Sequence, residues 1–312
     1  MKIINDIFEL ETPFEKAVAT IGNFDGVHKG HQAILHQVIE KADAMGGTSV
    51  AVTFEPHPIR VLKKNGQPPL ITLYEQKTEL IAQTGIDVLI CIRFDAAFAA
   101  ITARQFVEDI LVRRIGTRAI VIGEDYAFGR NREGNVESLR EFGKTLGFEV
   151  IVAQWISDAF HAGERISSTR VREVVAAGNV EEAFHLLGRH YQVRGRVVSG
   201  RNRGGKLLGF PTANILLTDE LCPKTGVYAV TVLCKGSKYM GVANIGYSPT
   251  FGDNVFTAEV HILDFAGDIY NEPIRVNFIR RIRDEKKFEN VEALIRQINH
   301  DIAAGRDILS NY

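Results

Sequence analysis

The chain has 312 residues, of which 45% are hydrophobic and 24% are charged, and its formal net charge at pH 7 is −1. At about 150 residues per domain this length predicts two domains, and the composition is that of a globular protein that buries a core. The nearly neutral charge argues against a nucleic-acid partner, because nucleic-acid binding relies on a concentrated basic surface.

The first residues soon carry acidic side chains and contain no long apolar segment, so we expect no signal peptide. No apolar run approaches the ~18 residues that are needed to span a bilayer. The three cysteines, Cys91, Cys222 and Cys234, lack the spacing of a disulfide framework or a zinc site. We therefore expect a cytoplasmic protein without a membrane partner. The sequence does not indicate the oligomeric state.

The first half of the chain alternates between apolar bursts and helical patterns. The bursts predict buried parallel strands at residues 17–21, 49–54, 87–92, 118–122 and 149–153. Apolar residues at helical spacing predict helices at residues 30–45, 74–84, 98–113 and 136–146. This alternation favours a Rossmann-like α/β domain, in which ligands bind beyond the carboxyl ends of the strands. The loops after Ile21, Phe54 and Ile122 are therefore where we expect the chemistry.

The pattern changes after about Leu187, where strands follow one another with short turns between them. Apolar and alternating runs predict strands at residues 191–198, 226–234, 238–245, 257–263 and 274–282. They indicate an antiparallel barrel or sandwich, and we expect an amphipathic helix at residues 291–304 to pack on its outside. We place the boundary near Gly188, which gives one domain at residues 1–187 and another at residues 188–312.

A Gly-rich loop with two histidines joins the first strand to the first helix. Gly22 and Gly26 permit tight turns, and His28 and His31 lie three residues apart at the helix start. This spacing places both imidazoles on one helix face, next to amide N–H groups and a partial positive charge that attract phosphate. The plain alternative is a pair of solvent-facing histidines, and the pattern as a whole favours a polyphosphate site.

Three further segments carry polar side chains at expected strand or helix ends. Residues 166–172 combine hydroxyls with arginines such as Arg172, which suits either phosphate binding or an ordinary helix N-cap. Residues 123–129 place Asp125 among aromatics and glycines, which suits a flat ring or a ribose as well as a plain turn. Residues 53–58 form a turn fixed by two prolines, whose histidine is either functional or structural.

In the second half, residues 200–207 nearly match a phosphate-binding P-loop. Leu207 stands where such a loop requires a magnesium-binding hydroxyl, and the run lies among antiparallel strands, so we reject a P-loop. The Pro211-Thr212-Ala213-Asn214 segment that follows places a hydroxyl and an amide on one side of an extended chain. These oxygens suit magnesium, and the residues alone leave a polar turn equally open.

The motifs of the first half, in this order, resemble the N-terminal module of the bacterial bifunctional riboflavin kinase/FMN adenylyltransferases, also called FAD synthetases. The His-x-Gly-His and Ser-Ser-Thr-x-x-Arg motifs carry the resemblance, whereas Glu55 stands where the family often has Asp. The resemblance implies transfer of the adenylyl group of ATP to FMN with release of pyrophosphate, and catalysis by His28 and His31. The ATP-binding residues that it implies are Gly22, Phe24, His28, His31, Asp125 and Arg172.

The second half is similar to the riboflavin kinase domain of the same family, whose signature is Pro-Thr-Ala-Asn. The similarity continues through residues 226–230, 241–246, 249–252, 258–261 and 283–288. It implies a small six-stranded antiparallel barrel that phosphorylates riboflavin with ATP and Mg²⁺. The roles it implies are Thr212 and Asn214 as ligands of magnesium and ATP, and Glu259 as the base for the ribityl 5′-hydroxyl. Lys206 also binds ATP by this resemblance; it replaces the more usual Arg, which keeps the charge and loses forked recognition.

Three other interpretations stay open at this point. The first is that only one of the two modules is active. The second is that the first half serves another substrate, such as a phosphopantetheine or nicotinate nucleotide. The third is that the chain is a flavin-binding regulator that has lost catalysis. The second leaves the other half unexplained, and the third conflicts with the presence of His28, His31, Thr212, Asn214 and Glu259. We expect small molecules as partners, with ATP, riboflavin and FMN as substrates and FAD as the product.

Overall fold

The computed structural model describes residues 1–63, 66–157, 163–199, 209–217, 219–247, 256–310 and 312. Two expected motifs, residues 200–207 with Lys206 and residues 249–252, lie outside the described residues. The chain divides into two compact units, of which the first holds Met1–Pro68 and Thr72–Ser168. The second holds Pro69–Ile71 and Thr169–Tyr312. The domain boundary near Gly188 stays a prediction.

The first unit is built on a sheet in which all pairs of strands are parallel. The strands are β1 (Lys2–Ile4), β2 (Ala17–Ile21), β3 (Ser49–Glu55), β4 (Val88–Arg93), β5 (Thr117–Gly123) and β6 (Glu149–Ala153). Their order across the sheet is β1-β4-β3-β2-β5-β6. From β2 the chain winds to one side through β3 and β4 and to the other through β5, so a ligand crevice is expected at the carboxyl ends of β2 and β5.

Helices accompany this sheet, and apolar side chains from alternate strand positions form two core clusters. The helices are α1 (Lys29–Met45), α2 (Pro58–Leu62), α3 (Tyr74–Ala82), α4 (Ala96–Ala99), α5 (Ala103–Gln105), a π-helix (Phe106–Ile115) and α6 (Val136–Leu146). β2 is buried along its whole length, as expected for a strand covered on both faces. The core therefore fixes the strand ends from which the site loops leave.

Two elements of the first unit differ from the sequence-based expectation. β1 is an additional strand that pairs with β4, and its three residues are too few for a pattern to identify. The single helix expected at residues 98–113 is wrong at its start, because α4 ends at Ala99 and helical structure begins again at Ala103, where α5 continues directly into the π-helix. The break has a local cause: Thr102 starts a new helix with a capping box, in which its hydroxyl accepts from the Gln105 N–H.

In its described residues, the second unit holds a six-stranded antiparallel sheet with the order β7-β12-β9-β10-β11-β8, where the strands are β7 (Tyr191–Arg196), β8 (Ala213–Leu217), β9 (Gly226–Cys234), β10 (Ser237–Tyr247), β11 (Phe256–Ile262) and β12 (Pro273–Arg283). An antiparallel bridge between Val198 and Asn214 brings the two edges together, so the sheet is a nearly closed barrel. β8 is a strand that the sequence pattern did not identify.

The helices of this part of the chain are α7 (Ser168–Ala176), α8 (Val180–Leu187) and α9 (Val291–Leu309). α8 packs on β7 and β12, and α9 packs on β9, β10 and β12. α9 continues beyond the expected end at residue 304, because Leu309 is buried against Ala229 and Ile279 of the barrel. The expected fold, a Rossmann-like unit followed by a small antiparallel barrel with a C-terminal helix, is confirmed. Across the described ranges, none of the helices has the length and apolar character required to cross a membrane.

Candidate active sites

The loop between β2 and α1 holds strained backbone at the point where the winding of the parallel sheet changes direction. Phe24 and Val27 adopt positive φ values of 48° and 39°, which is costly for any residue with a Cβ and more so for branched Val27. Gly26 adds a φ of 86° that glycine accepts readily. Strain of this kind persists only where surrounding contacts hold the loop.

Those contacts centre on Asp25, a carboxylate that is 3% exposed. Its Oδ1 accepts from the Thr72 N–H at 3.1 Å, and the Thr72 hydroxyl accepts from the Gly26 N–H at 3.0 Å. Ser168, from the Ser-Ser-Thr motif, donates its hydroxyl proton to the Asp25 carbonyl at 2.8 Å. Sequence analysis did not identify Thr72, since no local pattern reports a bond between segments so far apart in the chain.

His28 and His31 lie together at the amino end of α1. Their rings stack with centroids 3.7 Å apart and planes inclined by 18°. His28 is the N-cap, and its Nδ1 accepts from the His31 N–H at 3.3 Å. This bond places the ring proton of neutral His28 on Nε2, as a donor for a ligand oxygen. Two imidazoles and a helix N-terminus in one place form a site that attracts phosphate.

Phe24, expected among the ATP-binding residues, has a core side chain that is 2% exposed. Its ring lies so close to Gly22 that a Cβ added there would approach it to 3.2 Å. The same ring meets His31 edge to face, with centroids 5.3 Å apart. The ring of Phe24 therefore supports His31 from within the protein, and its expected contact with ATP falls to its main chain.

Asp125, in the loop after β5, forms an ion pair in this structure. Its carboxylate accepts from Arg165 Nη1 at 2.9 Å and from Arg165 Nη2 at 3.2 Å. The guanidinium of Arg165 also lies over the ring of Trp155. Sequence analysis missed Arg165 and Trp155, because both follow β6 and only the fold brings them to the β5 loop. For Asp125 to make the expected contact with the nucleotide, Arg165 must share or release the Asp125 carboxylate.

Two other residues from the expected segments make structural hydrogen bonds. His57 is the N-cap of α2, and its Nδ1 accepts from the Ile59 N–H at 3.2 Å. Arg172 lies on α7 in the second unit, where its Nε donates to the Pro69 carbonyl at 3.0 Å. The contact of Arg172 with ATP phosphates stays a prediction.

Three partly exposed phenylalanines form a group that is here called the aromatic cluster. Phe54 and Phe94 lie at the carboxyl ends of β3 and β4, and Phe98 lies on α4, which follows β4. Their ring centroids lie 5.6, 5.9 and 5.8 Å apart in the three pairs. A row of rings continues from them towards the β5 loop through Phe106, Phe128 and Tyr126. Partly exposed rings of this kind suit a flat aromatic ligand.

In the barrel, Glu259 of β11 lies between two asparagines of the neighbouring strands. It pairs in register with Asn214 of β8 and with Asn244 of β10. Directly paired residues of antiparallel strands point to the same face, with Cβ atoms roughly 4.5–5.5 Å apart. The register therefore brings together Glu259 and Asn214, which the sequence indicated separately. Asn244 was missed, because by sequence it is an ordinary strand residue.

Burial raises the pKa of the Glu259 carboxyl above its ordinary value, and the negative charge of Glu285 raises it further. Glu285 approaches the strand at Gly246, where an added Cβ would collide with its carboxylate. Gly246 lies two residues after Asn244 on β10, so the two carboxylates share one region of the barrel. A carboxylate with a raised pKa is a stronger base, which suits proton transfer from a hydroxyl near neutral pH.

Thr212 lines a cavity of about 480 Å³ on the barrel, whose wall includes Val260, Ile262 and Phe265. Asn214 is 6% exposed, and its amide nitrogen donates to the Thr212 carbonyl at 3.3 Å. His261 Nδ1 donates to the Pro211 carbonyl at 2.8 Å and so fixes the turn before Thr212. The cavity has the size and apolar lining typical of sites for small organic ligands.

Comparison with known proteins identifies the family to which both halves of the chain are similar. A family model described as FAD synthetase matches residues 11–170, and one described as riboflavin kinase matches residues 187–309. The bifunctional riboflavin kinase/FMN adenylyltransferase of Escherichia coli strain K12 is 39% identical over 309 residues, which cover 98% of this chain and 97% of the relative. The chain belongs to the bifunctional riboflavin kinase/FMN adenylyltransferase family. The resemblance inferred from the motifs is thereby confirmed.

Further relatives span the same length. The bifunctional riboflavin kinase/FMN adenylyltransferase of Pseudomonas fluorescens is 40% identical over 307 residues, covering 98% of this chain and 97% of the relative. A crystal structure described as a macrolide-efflux protein from Streptococcus pneumoniae is 33% identical, with a TM-score of 0.86, and covers 97% of this chain and 98% of that one. That description concerns a different activity, whereas the family models and the bifunctional relatives agree over both halves of the chain.

Proposed function

We propose that this member of the bifunctional riboflavin kinase/FMN adenylyltransferase family carries out both reactions, phosphorylation in the barrel and adenylylation in the α/β unit. The observation that carries the proposal is the pairing of Glu259 with Asn214 in the barrel of a chain whose α1 begins with stacked His28 and His31. Each group matches the chemistry of one reaction. We also propose a cytoplasmic location, because both reactions consume ATP.

Adenylylation joins a phosphate oxygen of FMN to the α-phosphorus of ATP, while the bond from that phosphorus to the bridging oxygen of pyrophosphate breaks. The reaction needs alignment and charge neutralisation more than a covalent nucleophile. His28 Nε2–H, His31 and the first amides of α1 would bind the phosphates and stabilise the charge on the departing pyrophosphate. Gly22 and the main chain of Phe24 shape the loop, and Asp125 and Arg172 are proposed as further ATP contacts.

We assign the flavin ring of FMN to the aromatic cluster. Phe54 and Phe94 lie at the carboxyl ends of β3 and β4, on the same edge of the sheet as the loop that carries His28, and the ring of Phe98 on α4 packs against both. Their rings are partly exposed, and stacking on aromatic faces contributes about 0.5–1.5 kcal/mol per pair beyond area burial. The polar ribityl phosphate of FMN would then extend towards the histidines.

Phosphorylation joins the 5′-oxygen of riboflavin to the γ-phosphorus of ATP, and the bond from that phosphorus to the bridging oxygen of ADP breaks. Glu259 would orient the hydroxyl and accept its proton, which the raised pKa of this carboxyl favours. We assign the nucleotide to the cavity beside Thr212, and Lys206 is proposed to contact its phosphates.

Magnesium fits the oxygen donors beside this cavity. The Thr212 hydroxyl and the Asn214 amide oxygen are hard ligands, and Mg²⁺ commonly takes one or two protein ligands together with water and ATP phosphates. The Asn214 amide nitrogen donates to the Thr212 carbonyl, so the amide oxygen of Asn214 faces away from that carbonyl. Mg²⁺ bound there would neutralise charge on the phosphates during transfer. Among the described residues, no group of three or more His, Cys, Asp or Glu side chains is placed to hold a metal.

The experiment that tests the adenylylation site uses His28→Asn in the full chain. Asn is a preferred N-cap residue, so its amide oxygen replaces Nδ1 as acceptor of the His31 N–H, whereas the imidazole donor is lost. We expect FAD formation from FMN to fall at least ~10²-fold, as for loss of an oxyanion donor, with riboflavin phosphorylation unchanged. FAD formation at the wild-type rate would refute the assignment of His28.

A further inference from the structure

Helix α3 turns an unusually polar face towards the protein. Its buried residues are Gln76, Lys77, Thr78 and Ile81, so three of the four are polar. Lys77 is only 4% exposed. A buried ammonium group costs several kcal/mol unless nearby groups compensate for the lost hydration. A lysine in this position therefore requires specific partners.

The partners of Lys77 lie at the carboxyl end of β3. Its Nζ donates to the Phe54 carbonyl at 3.2 Å and lies 3.8 Å from Glu55 Oε2. The ring of Tyr74, one helical turn earlier, lies 5.9 Å from the ammonium group. Burial lowers the pKa of Lys77, and the charges of Glu55 and Asp25 oppose this shift. The contacts join α3 to both the main chain and the side chain of the segment at Phe54 and Glu55.

This segment sets the positions of two rings of the aromatic cluster. Phe54 belongs to the segment, and the Glu55 carbonyl accepts from the Phe94 N–H at 3.0 Å. The rings of Phe54 and Phe94 meet edge to face with centroids 5.6 Å apart. A shift of the main chain at Phe54 and Glu55 would therefore displace both rings together.

We propose that Lys77 is a positioning residue for adenylylation: it fixes the Phe54–Glu55 main chain and thereby the aromatic rings that receive the flavin of FMN. The inference rests on the proposed function for the location of the flavin ring. Lys77 touches neither substrate. It acts on FMN binding through the positions of the aromatic rings and leaves ATP binding unaffected. The other possible action of a buried cation near Asp25 is attraction of the ATP phosphates, which would instead change ATP binding.

The test is Lys77→Met in the full chain, because Met retains an unbranched apolar stem and removes the donor and the charge. We expect the KM for FMN in adenylylation to rise about tenfold, because displaced Phe54 and Phe94 rings would lose their stacking on the flavin. The KM for ATP should stay within about twofold, and riboflavin phosphorylation by the same protein should be unchanged. Calorimetry without ATP should show that the Kd for FMN rises by the same factor as the KM for FMN.

The matched control is Lys41→Met, which removes a lysine of the same unit from a surface ion pair with Glu149. We expect this variant to equal the wild type in every measurement. If Lys77→Met does not fold, Glu55→Gln removes the paired charge more gently, and it should weaken FMN affinity in the same direction.

Two results would overturn the proposal. One is a raised KM for ATP with unchanged FMN affinity, which would assign Lys77 to the phosphates. The other is FMN affinity equal to that of the wild type in both Lys77→Met and Glu55→Gln. A wild-type protein that binds FMN and forms no FAD would refute the proposed function, and the calorimetric comparison would still decide the role of Lys77.

Discussion

Replacement of Glu259 by Gln separates catalysis from stability in the barrel. Gln has nearly the same shape as Glu and can hydrogen-bond to the amides of Asn214 and Asn244, with which Glu259 is paired in register. The substitution therefore removes the carboxylate that we propose as the base and nearly keeps the shape of the side chain. We expect the kcat of riboflavin phosphorylation to fall by ~10²–10⁴, which corresponds to about 3–5 kcal/mol of transition-state stabilisation.

The same substitution should not destabilise the protein. The pKa of Glu259 is raised in the folded state, chiefly by burial, so above this pKa the ionised carboxyl favours the unfolded state. Each unit of such a shift is about 1.36 kcal/mol at pH values above both pKa values. Glu259→Gln removes this penalty, and we expect a midpoint of thermal unfolding at pH 7 equal to or above that of the wild type.

The assay measures FMN formation from riboflavin at saturating ATP and magnesium, together with thermal unfolding of the same preparation. Glu272→Gln, which removes a carboxylate from the exposed ion pair with Lys235, is the matched control and should leave both measurements unchanged. Two results would refute the assignment of Glu259 as the base. If saturating magnesium restores the kcat of Glu259→Gln, Glu259 is a metal ligand. If the midpoint of thermal unfolding falls clearly, Glu259 is a structural residue.

Three further predictions follow from particular contacts. Glu285→Gln removes the negative charge that raises the pKa of Glu259, so the acid limb of the kcat profile for riboflavin phosphorylation should move to lower pH; an unmoved limb would count against Glu259 as the base. Thr72→Val removes the hydroxyl that accepts from Gly26 N–H, and urea unfolding of the α/β unit should report a loss of about 1 kcal/mol with slower FAD formation; a variant as stable and active as the wild type would contradict this. A fragment of residues 169–312 should phosphorylate riboflavin, and its midpoint of thermal unfolding should lie above that of a fragment of residues 186–312, because only the longer one retains the buried Val180 and Ala183 of α8. Equal midpoints would contradict this packing role.

The parts of the molecule that could be predicted are those in which the relevant residues are close in sequence. His28 and His31 are separated by one helical turn, so their spacing alone predicts that they share a face, and their rings are indeed stacked. The strand from Ala17 to Ile21 is buried along its whole length, as its mostly apolar pattern indicates. Both features depend on local geometry, which the order of residues specifies directly.

The parts that could not be predicted depend on pairing between distant segments. Asn214 and Glu259 meet through the register of β8 and β11, and Asn244 joins them from β10. Asp25 is bonded to Thr72, and Asp125 to Arg165, across long stretches of chain. Residue type limits what such side chains do, but only the fold determines which of them meet.

The polar face of α3 illustrates a second limit. Burial of Lys77 contradicts the usual rule that charged residues of a helix face solvent, so a periodicity argument places it on the wrong side. Its partners are a main-chain carbonyl and a carboxylate at the end of β3, neither of which leaves a sequence signature. Departures of this kind are expected near functional sites, where local rules give way to the needs of the site.

We propose that one chain holds two separate sites, and complementation between two full-length variants tests this directly. Riboflavin, ATP and magnesium are supplied to His28→Asn alone, to Glu259→Gln alone and to a mixture of both, and FMN and FAD are separated by chromatography. We expect His28→Asn to accumulate FMN, Glu259→Gln to form FAD only from added FMN, and the mixture to form FAD from riboflavin. Loss of riboflavin phosphorylation in His28→Asn, or failure of Glu259→Gln to adenylylate added FMN, would contradict the presence of two separate sites.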